Sequence, residues 1–562
     1  MSDASPSKLK HHIPFVILLI LLGAYLGLKT LPEEGWSGWG EPSAQTLLTL
    51  EHWANDGIIN HKFLYLPIGY SKTVQYLDDP ELRQHARGTV TGYLIGRRLY
   101  YTHYPSGFVL PYAFLRKAGV TERHAFRLLS LGFSFGGLIL LYVFLNRIST
   151  PLLAFFGVLY YGASTMFLDF ADTLNNQPLD DLLRFAILAV SISALSHTKD
   201  GKKYNRYVFF TWLLYLLLSV SSYDSTFFIY AWLIGLDIFA FWTGRLDKPL
   251  HIGKWALYAT APVIGFSLQM IQNWWYLGTE DLLLDLKGVL QYRTGGGAEG
   301  GGLIKHIKAV FTPLILMTGI KTTYSLPLAA FLAAVFAYVK SKTQYRWPEF
   351  RIFILLLIAG SIYTFLFAKT DDLNYQGRQF APALGLLVGF STDLAIRFLR
   401  SPSAFLSGFS AKPVITGLVA LSSILAVILW YSQIERTIGY VKEWPNHAVD
   451  KSILHAYKEF GAMTDNDGVI FYIDVNTDKD YPQPPPTFEY YAGKPVLFFK
   501  NPEDAWKDFT RLKKVSSFPF DAVFSSPQPE AIEGFLPLSG GAFKVIDSTY
   551  YTVLIKSARQ GF

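Results

Sequence analysis

Residues 8–28 open with Lys8-Leu9-Lys10-His11-His12 and continue into an apolar run, IPFVILLILLGAYLGL, that ends at Leu28. A basic cluster ahead of a hydrophobic stretch is the layout of a membrane-targeting segment. The run closes in Gly27-Leu28-Lys29-Thr30 without a small-x-small cleavage site, which predicts an uncleaved anchor. Apolar runs of comparable length recur at roughly 126–146, 151–169, 180–197, 207–222, 225–243, 255–275, 323–339, 352–368, 381–398 and 413–433. With the anchor they make eleven. Stretches of about 20 apolar residues match the thickness of a bilayer. The expected fold class is therefore an α-helical polytopic membrane protein.

Composition agrees. Of 562 residues, 51% are hydrophobic and 16% aromatic, and only 17% are charged, against about 25% in an average soluble protein. Mean hydropathy is +0.25. These values exclude a disordered chain, a disulfide scaffold, a collagen and an ordinary cytosolic enzyme. The net charge of +7 does not point to nucleic acid, because the basic residues lie between apolar runs and form no single patch. The absence of Cys suits an extracytoplasmic compartment.

Lys and Arg set the orientation. With the N-terminus inside, the cytoplasmic segments hold seventeen, among them Lys199, Lys202, Lys203 and Arg206 in one loop and Lys340, Lys342, Arg346 and Arg351 in another. The short outside loops hold seven: Lys287, Arg293, Lys305, Lys308, Lys321, Lys369 and Arg378. This bias places 29–125 and the tail outside the cytoplasm. Segment 309–322 reads either as a short extra span or as a re-entrant piece. In the tail, strand-like runs at 469–473, 495–499 and 551–555 alternate with helical patterns at 451–460 and 503–513. That alternation predicts a small extracytoplasmic α/β domain. The expected organisation is a membrane domain over 1–433, including the long loop 29–125, and a C-terminal domain over 434–562.

Three outside segments carry the candidate chemistry. In the first, Glu41-Pro42-Ser43 precedes a helical apolar stripe of Leu47, Leu48, Leu50, Trp53 and Ala54. Pro42 fits the first turn of that helix. Glu41 is then either a helix cap or a general base, and the helix N-terminus favours its charged form. In the second, Tyr100-Tyr101-Thr102-His103-Tyr104-Pro105-Ser106-Gly107 is a rigid run of rings and hydroxyls. It suits stacking on a sugar or lining a lipid groove, and equally an interfacial aromatic belt. In the third, Lys369 to Pro382 runs into a span, with Arg378 within about one turn of hydrocarbon. A guanidinium at that depth is costly unless paired. It either binds a phosphate with its planar fork, or snorkels, or pairs with Asp371 or Asp372. Asp180 and Asp181 open another span, where each either caps the helix or reaches the first loop. Asp224 sits in a short turn with the same choice. The five His of the first loop, His52, His61, His85, His103 and His124, show no zinc spacing such as HExxH, so no metal ligand is assigned.

Taken in order, Trp39-Gly40-Glu41-Pro42-Ser43, Tyr101-Thr102-His103-Tyr104-Pro105-Ser106-Gly107, Gln177-Pro178-Leu179-Asp180 and Gln376-Gly377-Arg378-Gln379-Phe380-Ala381-Pro382 resemble the GT-C superfamily. The nearest likeness is to its protein O-mannosyltransferase and aminoarabinose (lipid A) transferase branch. Glu41 matches the position of the family's loop-one catalytic carboxylate, where Asp or an Asp-Glu pair is commoner. Tyr101–Gly107 is similar to the family's His-Pro-Pro-type segment with one Pro lost, and the Gln376–Pro382 run to its Arg-Tyr-x-x-Pro pattern. The similarity covers about 30–433.

The resemblance implies an inverting glycosyltransferase of the cell (inner or plasma) membrane. It would move a sugar from a polyprenyl-phosphate donor to a hydroxyl of an acceptor lipid, glycan or protein on the outer face. Glu41 would be the base. Arg378 would hold the phosphate, helped by Lys369 or Arg293 and set in the donor segment with Gln376. His103 and Tyr101 would shape the sugar or acceptor pocket, and Asp180 would bind sugar hydroxyls or orient the neighbours of Glu41. A divalent metal, as in the related oligosaccharyltransferases, is compatible with the resemblance, although no acidic cluster demands one. If the tail only docks the acceptor, 434–562 should be dispensable for the chemical step. The rival reading is a flippase or exporter of lipid-linked glycans. Such a transporter should show related halves or a mid-membrane site. No repeat is visible, and the polar candidates gather at one membrane face.

Overall fold

The computed structural model describes residues 10–31, 40–68, 93–95, 98–102, 104–242, 252–293, 348–366, 374–401 and 412–447. In the tail it describes 451–463, 469–473, 486–494, 496–499, 501–515, 522–526, 528–533, 543–547 and 552–556, with a few single residues elsewhere. The chain folds as two compact units. Unit 1 comprises Met1–Pro32, Arg123–Met270 and Leu290–Trp444, and unit 2 comprises Glu33–Glu122, Ile271–Val289 and Pro445–Phe562.

Among its described residues, unit 1 consists of helices joined by turns, with no strand. Its helices are α1 (Ile13–Thr30), α2 (Arg123–Ile148), α3 (Pro151–Gly162), α4 (Thr165–Phe170), α5 (Gln177–Ala194), α6 (Gly201–Ser221), α7 (Thr226–Trp242), α8 (Ile252–Arg293), α9 (Pro348–Leu366), α10 (Ala381–Arg400) and α11 (Lys412–His447). Residues Ile271–Val289 of α8 belong to unit 2, and a non-helical Gly278 at φ 76° breaks this helix. The expected span at 323–339 lies outside the described residues, as does the segment 309–322 apart from residues 310 and 312. Taken by length and composition alone, Lys10–Thr30 and Arg123–Ile148 are long and apolar enough to cross a membrane.

The expected span 151–169 is instead two helices. Thr150 caps α3 by accepting from the Leu153 N–H at 3.3 Å, and Pro151 sits in the first turn, where its missing N–H costs nothing. Ser164 restarts the chain as the cap of α4, accepting from the Phe167 N–H at 3.1 Å. The Ala163 carbonyl freed at the break accepts from Gln433 Nε2 at 3.0 Å and Thr437 Oγ1 at 2.6 Å, both on α11. A helix interruption in an apolar bundle persists only when such partners satisfy the backbone. Close packing elsewhere rests on small residues. A Cβ on Gly389 of α10 would lie 2.4 Å from the Leu153 carbonyl oxygen on α3, and one on Gly157 would lie 2.5 Å from that of Gly385.

Unit 2 contains two sheets. Strands β1 (Tyr65–Ile68), β2 (Tyr93–Ile95) and β3 (Arg98–Tyr101) form an antiparallel sheet in the order β1-β3-β2. In the tail, β4 (Val469–Ile473), β5 (Val496–Phe499), β6 (Ala522–Ser526), β7 (Phe543–Asp547) and β8 (Thr552–Lys556) are ordered β5-β4-β6-β8-β7. β4 runs parallel to β5 and β6, whereas β8 runs antiparallel to β6 and β7. All five residues of β4 are buried, because both faces of the sheet are covered. Phe471, Phe499 and Phe524 pack against Trp506 and Phe509 of helix Pro502–Val515 on one face. Ile470, Tyr472 and Val523 pack against Phe460 and Phe488 on the other. The expected α/β pattern of the tail is present.

Within the same unit, helix Gly40–His52 packs against β1 and against helix Pro486–Ala492. Its stripe buries Ala44, Leu47, Leu48, Leu50 and Trp53. Ala54, expected in that stripe, is exposed. A π-helical turn over Trp53–Gly57 follows the helix and widens its period, so the residue after Trp53 falls off the buried face.

Candidate functional site

Polar groups concentrate around the segment joining α4 to α5. Asp180 lies in the first turn of α5, which Pro178 helps to start, and Asp181 follows it. Arg184 follows one turn later and grips both: its Nη1 donates to Asp180 Oδ2 at 3.1 Å, and its Nη2 donates to Asp181. The α6–α7 turn adds Ser225, whose hydroxyl donates to Asp180 Oδ2 at 2.7 Å. The short 3-10 helix Asn374–Phe380 brings in Arg378, which donates to Asp181 Oδ2 from Nε at 3.2 Å and also from Nη2. Tyr161 of α3 donates to the same carboxylate. The Arg378 guanidinium carbon sits 5.5 Å from the Phe170 ring centroid. Gln379 Nε2 donates to the Asp224 carbonyl at 2.9 Å.

Two guanidiniums and two carboxylates, all buried, thus form a neutral set. Desolvation by itself would weaken the charge of Arg378, but Asp181 and Tyr161 outweigh it and raise its pKa above the ordinary arginine value. The Arg378 fork is used on one side only. Its Nη1 is buried with no hydrogen-bond partner among the described residues. A buried, unsatisfied donor on a cation is expensive and is the group an incoming oxyanion would satisfy.

A second ion cluster braces the same segment. Asp172 receives Lys29 Nζ on Oδ1 at 3.0 Å, and Arg127 Nε on Oδ2 at 3.1 Å. Arg127 also donates to the Lys29 and Thr30 carbonyls. Burial would raise the Asp172 carboxyl, but Lys29 and Arg127 hold it below the usual carboxylate value.

Of the residues singled out in the sequence, Asp180, Asp181 and Arg378 meet in this one network. Arg378 pairs with Asp181; the expected partners Asp371 and Asp372 lie outside the described residues, as do His103 and Lys369. Glu41, Tyr101, Gln376 and Arg293 are placed by backbone only. Glu41 lies inside the first turn of helix Gly40–His52, one residue past its start. Tyr101 ends β3, Gln376 lies in the 3-10 helix, and Arg293 is the last residue of α8.

Within the Tyr100–Gly107 run, Tyr100 and Thr102 act as a strut. Tyr100 is buried against Tyr276, and Thr102 donates to Asp285 Oδ2 at 2.8 Å while its carbonyl accepts from Asn273 Nδ2 at 2.7 Å. Reading the sequence missed Arg184, Arg127 and the buried Lys29. Arg184 carried a signal, since it stands four and three residues after the acidic pair on one helix face. Among the described residues, His52, Asp56 and His61 form a group of metal-type donors whose ligand atoms all lie within 4.8 Å of one another.

No protein-family model and no curated protein matches the chain. Among solved structures, ArnT from Cupriavidus metallidurans bound to undecaprenyl phosphate superposes with a TM-score of 0.55 at 12% identity, over 97% of this chain and 98% of that one. This chain has the GT-C fold. The oligosaccharyltransferase of Archaeoglobus fulgidus in its apo form shares the GT-C fold at a TM-score of 0.52 and 11% identity, over 98% of this chain and 74% of that one. Proteins of this fold are polytopic membrane proteins, and the ordered motifs in the sequence pointed to it.

Proposed function

We propose that this chain is an integral-membrane glycosyltransferase. It moves a sugar from a polyprenyl-phosphate donor to an acceptor hydroxyl at the extracytoplasmic face, with inversion at the anomeric carbon. The observation that carries the reading is the GT-C fold along nearly the whole chain, shared with a protein bound to undecaprenyl phosphate. Glu41, kept charged by its helix N-terminus, takes the proton of the acceptor hydroxyl as the oxygen attacks. The bond between the anomeric carbon and the phosphate oxygen breaks, and its electrons leave with the phosphate. Arg378 offers Nη1 to that growing charge while Asp181 fixes its other edge. A preorganised donor of this kind is worth about 3 kcal/mol of barrier. Asp180 and Asp181 act by holding Arg184 and Arg378. Lys369, Arg293 and Gln376 assist at the donor phosphate, and Tyr101 and His103 shape the sugar or acceptor pocket. The acceptor is a lipid, a glycan or a protein.

The test is transfer by the purified chain in vesicles supplied with polyprenyl-phosphate sugars and candidate acceptors. Glu41→Gln is expected to abolish turnover while donor binding stays near wild type. Retained turnover would move the base elsewhere. Donor translocation without any glycosylated product would favour a flippase.

A further inference from the structure

We propose that His52, Asp56 and His61 bind one divalent transition-metal ion of the zinc class. The proposal stands apart from the transferase reading, since it uses none of the residues placed at the sugar-transfer site. His52 ends helix Gly40–His52, and Asp56 lies four residues on within the π-helical turn Trp53–Gly57. The chain then folds back through hydrogen-bonded turns, including Asn60 N–H to Gly57 carbonyl at 3.1 Å and Leu64 N–H to His61 carbonyl at 2.8 Å. This return places His61 beside the other two. His61 Nε2 stands 3.1 Å from Asp56 Oδ2, and the His52 and His61 rings have centroids 5.7 Å apart. Ligands of a tetrahedral Zn2+ with bonds of about 2.0–2.1 Å stand roughly 3.3 Å from one another. One pair already has that separation, and the whole set falls within 4.8 Å, so small side-chain rotations complete the cage.

The surroundings fit as well. His61 Nδ1 lies 3.0 Å from the Tyr100 hydroxyl. With Nε2 on the metal, Nδ1–H donates to that oxygen, which is how outer-shell partners fix a ligating imidazole. Both His are buried, whereas the Asp56 side chain is 28% exposed; metal can therefore arrive from the Asp56 side, and water can complete the coordination. Two imidazoles and one carboxylate suit Zn2+ or its neighbours better than Mg2+ or Ca2+, which prefer oxygen cages. The adjacent cation is turned away: Lys62 Nζ donates to the Asn60 carbonyl and lies over the Trp275 ring. Lys62 and Phe63, directly after His61, both hold left-handed backbone at φ 53° and 59°. Non-glycine residues in that region cluster where a site over-determines the chain. HExxH searches miss such a site because its ligands follow a turn and not one helix face.

The experiment uses the full chain in detergent, stripped with a chelator and titrated with Zn2+ alone. One high-affinity ion per chain is expected. Asp56→Asn and His61→Gln should each weaken binding more than tenfold. Tyr100→Phe should weaken it by about tenfold, and His197→Gln, in the 3-10 turn Leu195–His197 that follows α5 in unit 1, should leave it unchanged. The metal-free wild type and metal-free Asp56→Asn are compared by thermal unfolding. A gain in melting temperature on adding Zn2+ to the wild type alone supports the site. An equal gain in both, or no stoichiometric binding by the wild type, overturns it.

Discussion

At Asp181, one carboxylate serves Arg184, Arg378 and Tyr161. Removing a buried charge strands its partners, which costs about 3–5 kcal/mol. Asp181→Ala leaves Arg378 without its carboxylate and Arg184 with Asp180 alone, whereas Arg378→Ala leaves Asp181 with two partners. Asp181→Ala should therefore lower the melting temperature in detergent more than Arg378→Ala does. Arg378→Ala should instead show its larger effect in affinity for a polyprenyl-phosphate sugar. Equal destabilisation by the two would contradict this division. Asp172 adds a pH dependence. Its folded pKa lies below the unfolded value of 3.8, so it stabilises above that value and loses its contribution as pH falls through the folded pKa. Asp172→Asn should flatten the acid side of a melting-temperature profile. The sequence showed Arg378 as an expensive guanidinium, and that much was legible. Its partner was not, because Asp181 lies 197 positions away and nearer acids, Asp371 and Asp372, were on offer.

At the scale of elements, hydrophobic runs located the helices well and their interruptions poorly. The break at Ala163-Ser164 lies inside a run that is apolar on both sides, so periodicity carried no trace of it, and only the capping geometry of Ser164 exposes it. Helix–helix approach was equally hidden, since it depends on which glycines face each other. A methyl on Gly389 would meet a backbone oxygen of α3 at 2.4 Å, and a backbone oxygen cannot swing aside as a side chain can. Gly389→Ala should therefore force α3 and α10 apart and cost about 1–3 kcal/mol. Gly439→Ala on α11, where a Cβ meets nothing within 4 Å, is the matched control. Thermal unfolding of both variants in one detergent decides it, and equal melting temperatures would disprove the close approach.

At the scale of the whole chain, the tail was legible as α/β because its strands are short, β-branched and aromatic, and separated by amphipathic helices. Its partner in unit 2 was not legible, because hydropathy reports each segment's own burial and says nothing of which distant segment covers it. Helix Gly40–His52, which carries Glu41, packs against Pro486–Ala492 of the tail. Ser43, Thr46 and Thr49 are buried along with its apolar stripe. Removing 445–562 would uncover one side of that helix and leave its polar side chains without their packed surroundings. This packing argues for the tail as a support of the proposed base, and the outcome expected on that ground differs from the one expected if the tail only docks the acceptor. A truncation ending at Trp444 should lose single-turnover transfer, even with donor supplied in excess, while unit 1 keeps its affinity for a polyprenyl-phosphate sugar. Full single-turnover activity in that truncation would return the tail to a docking role and show that Glu41 holds its place without it.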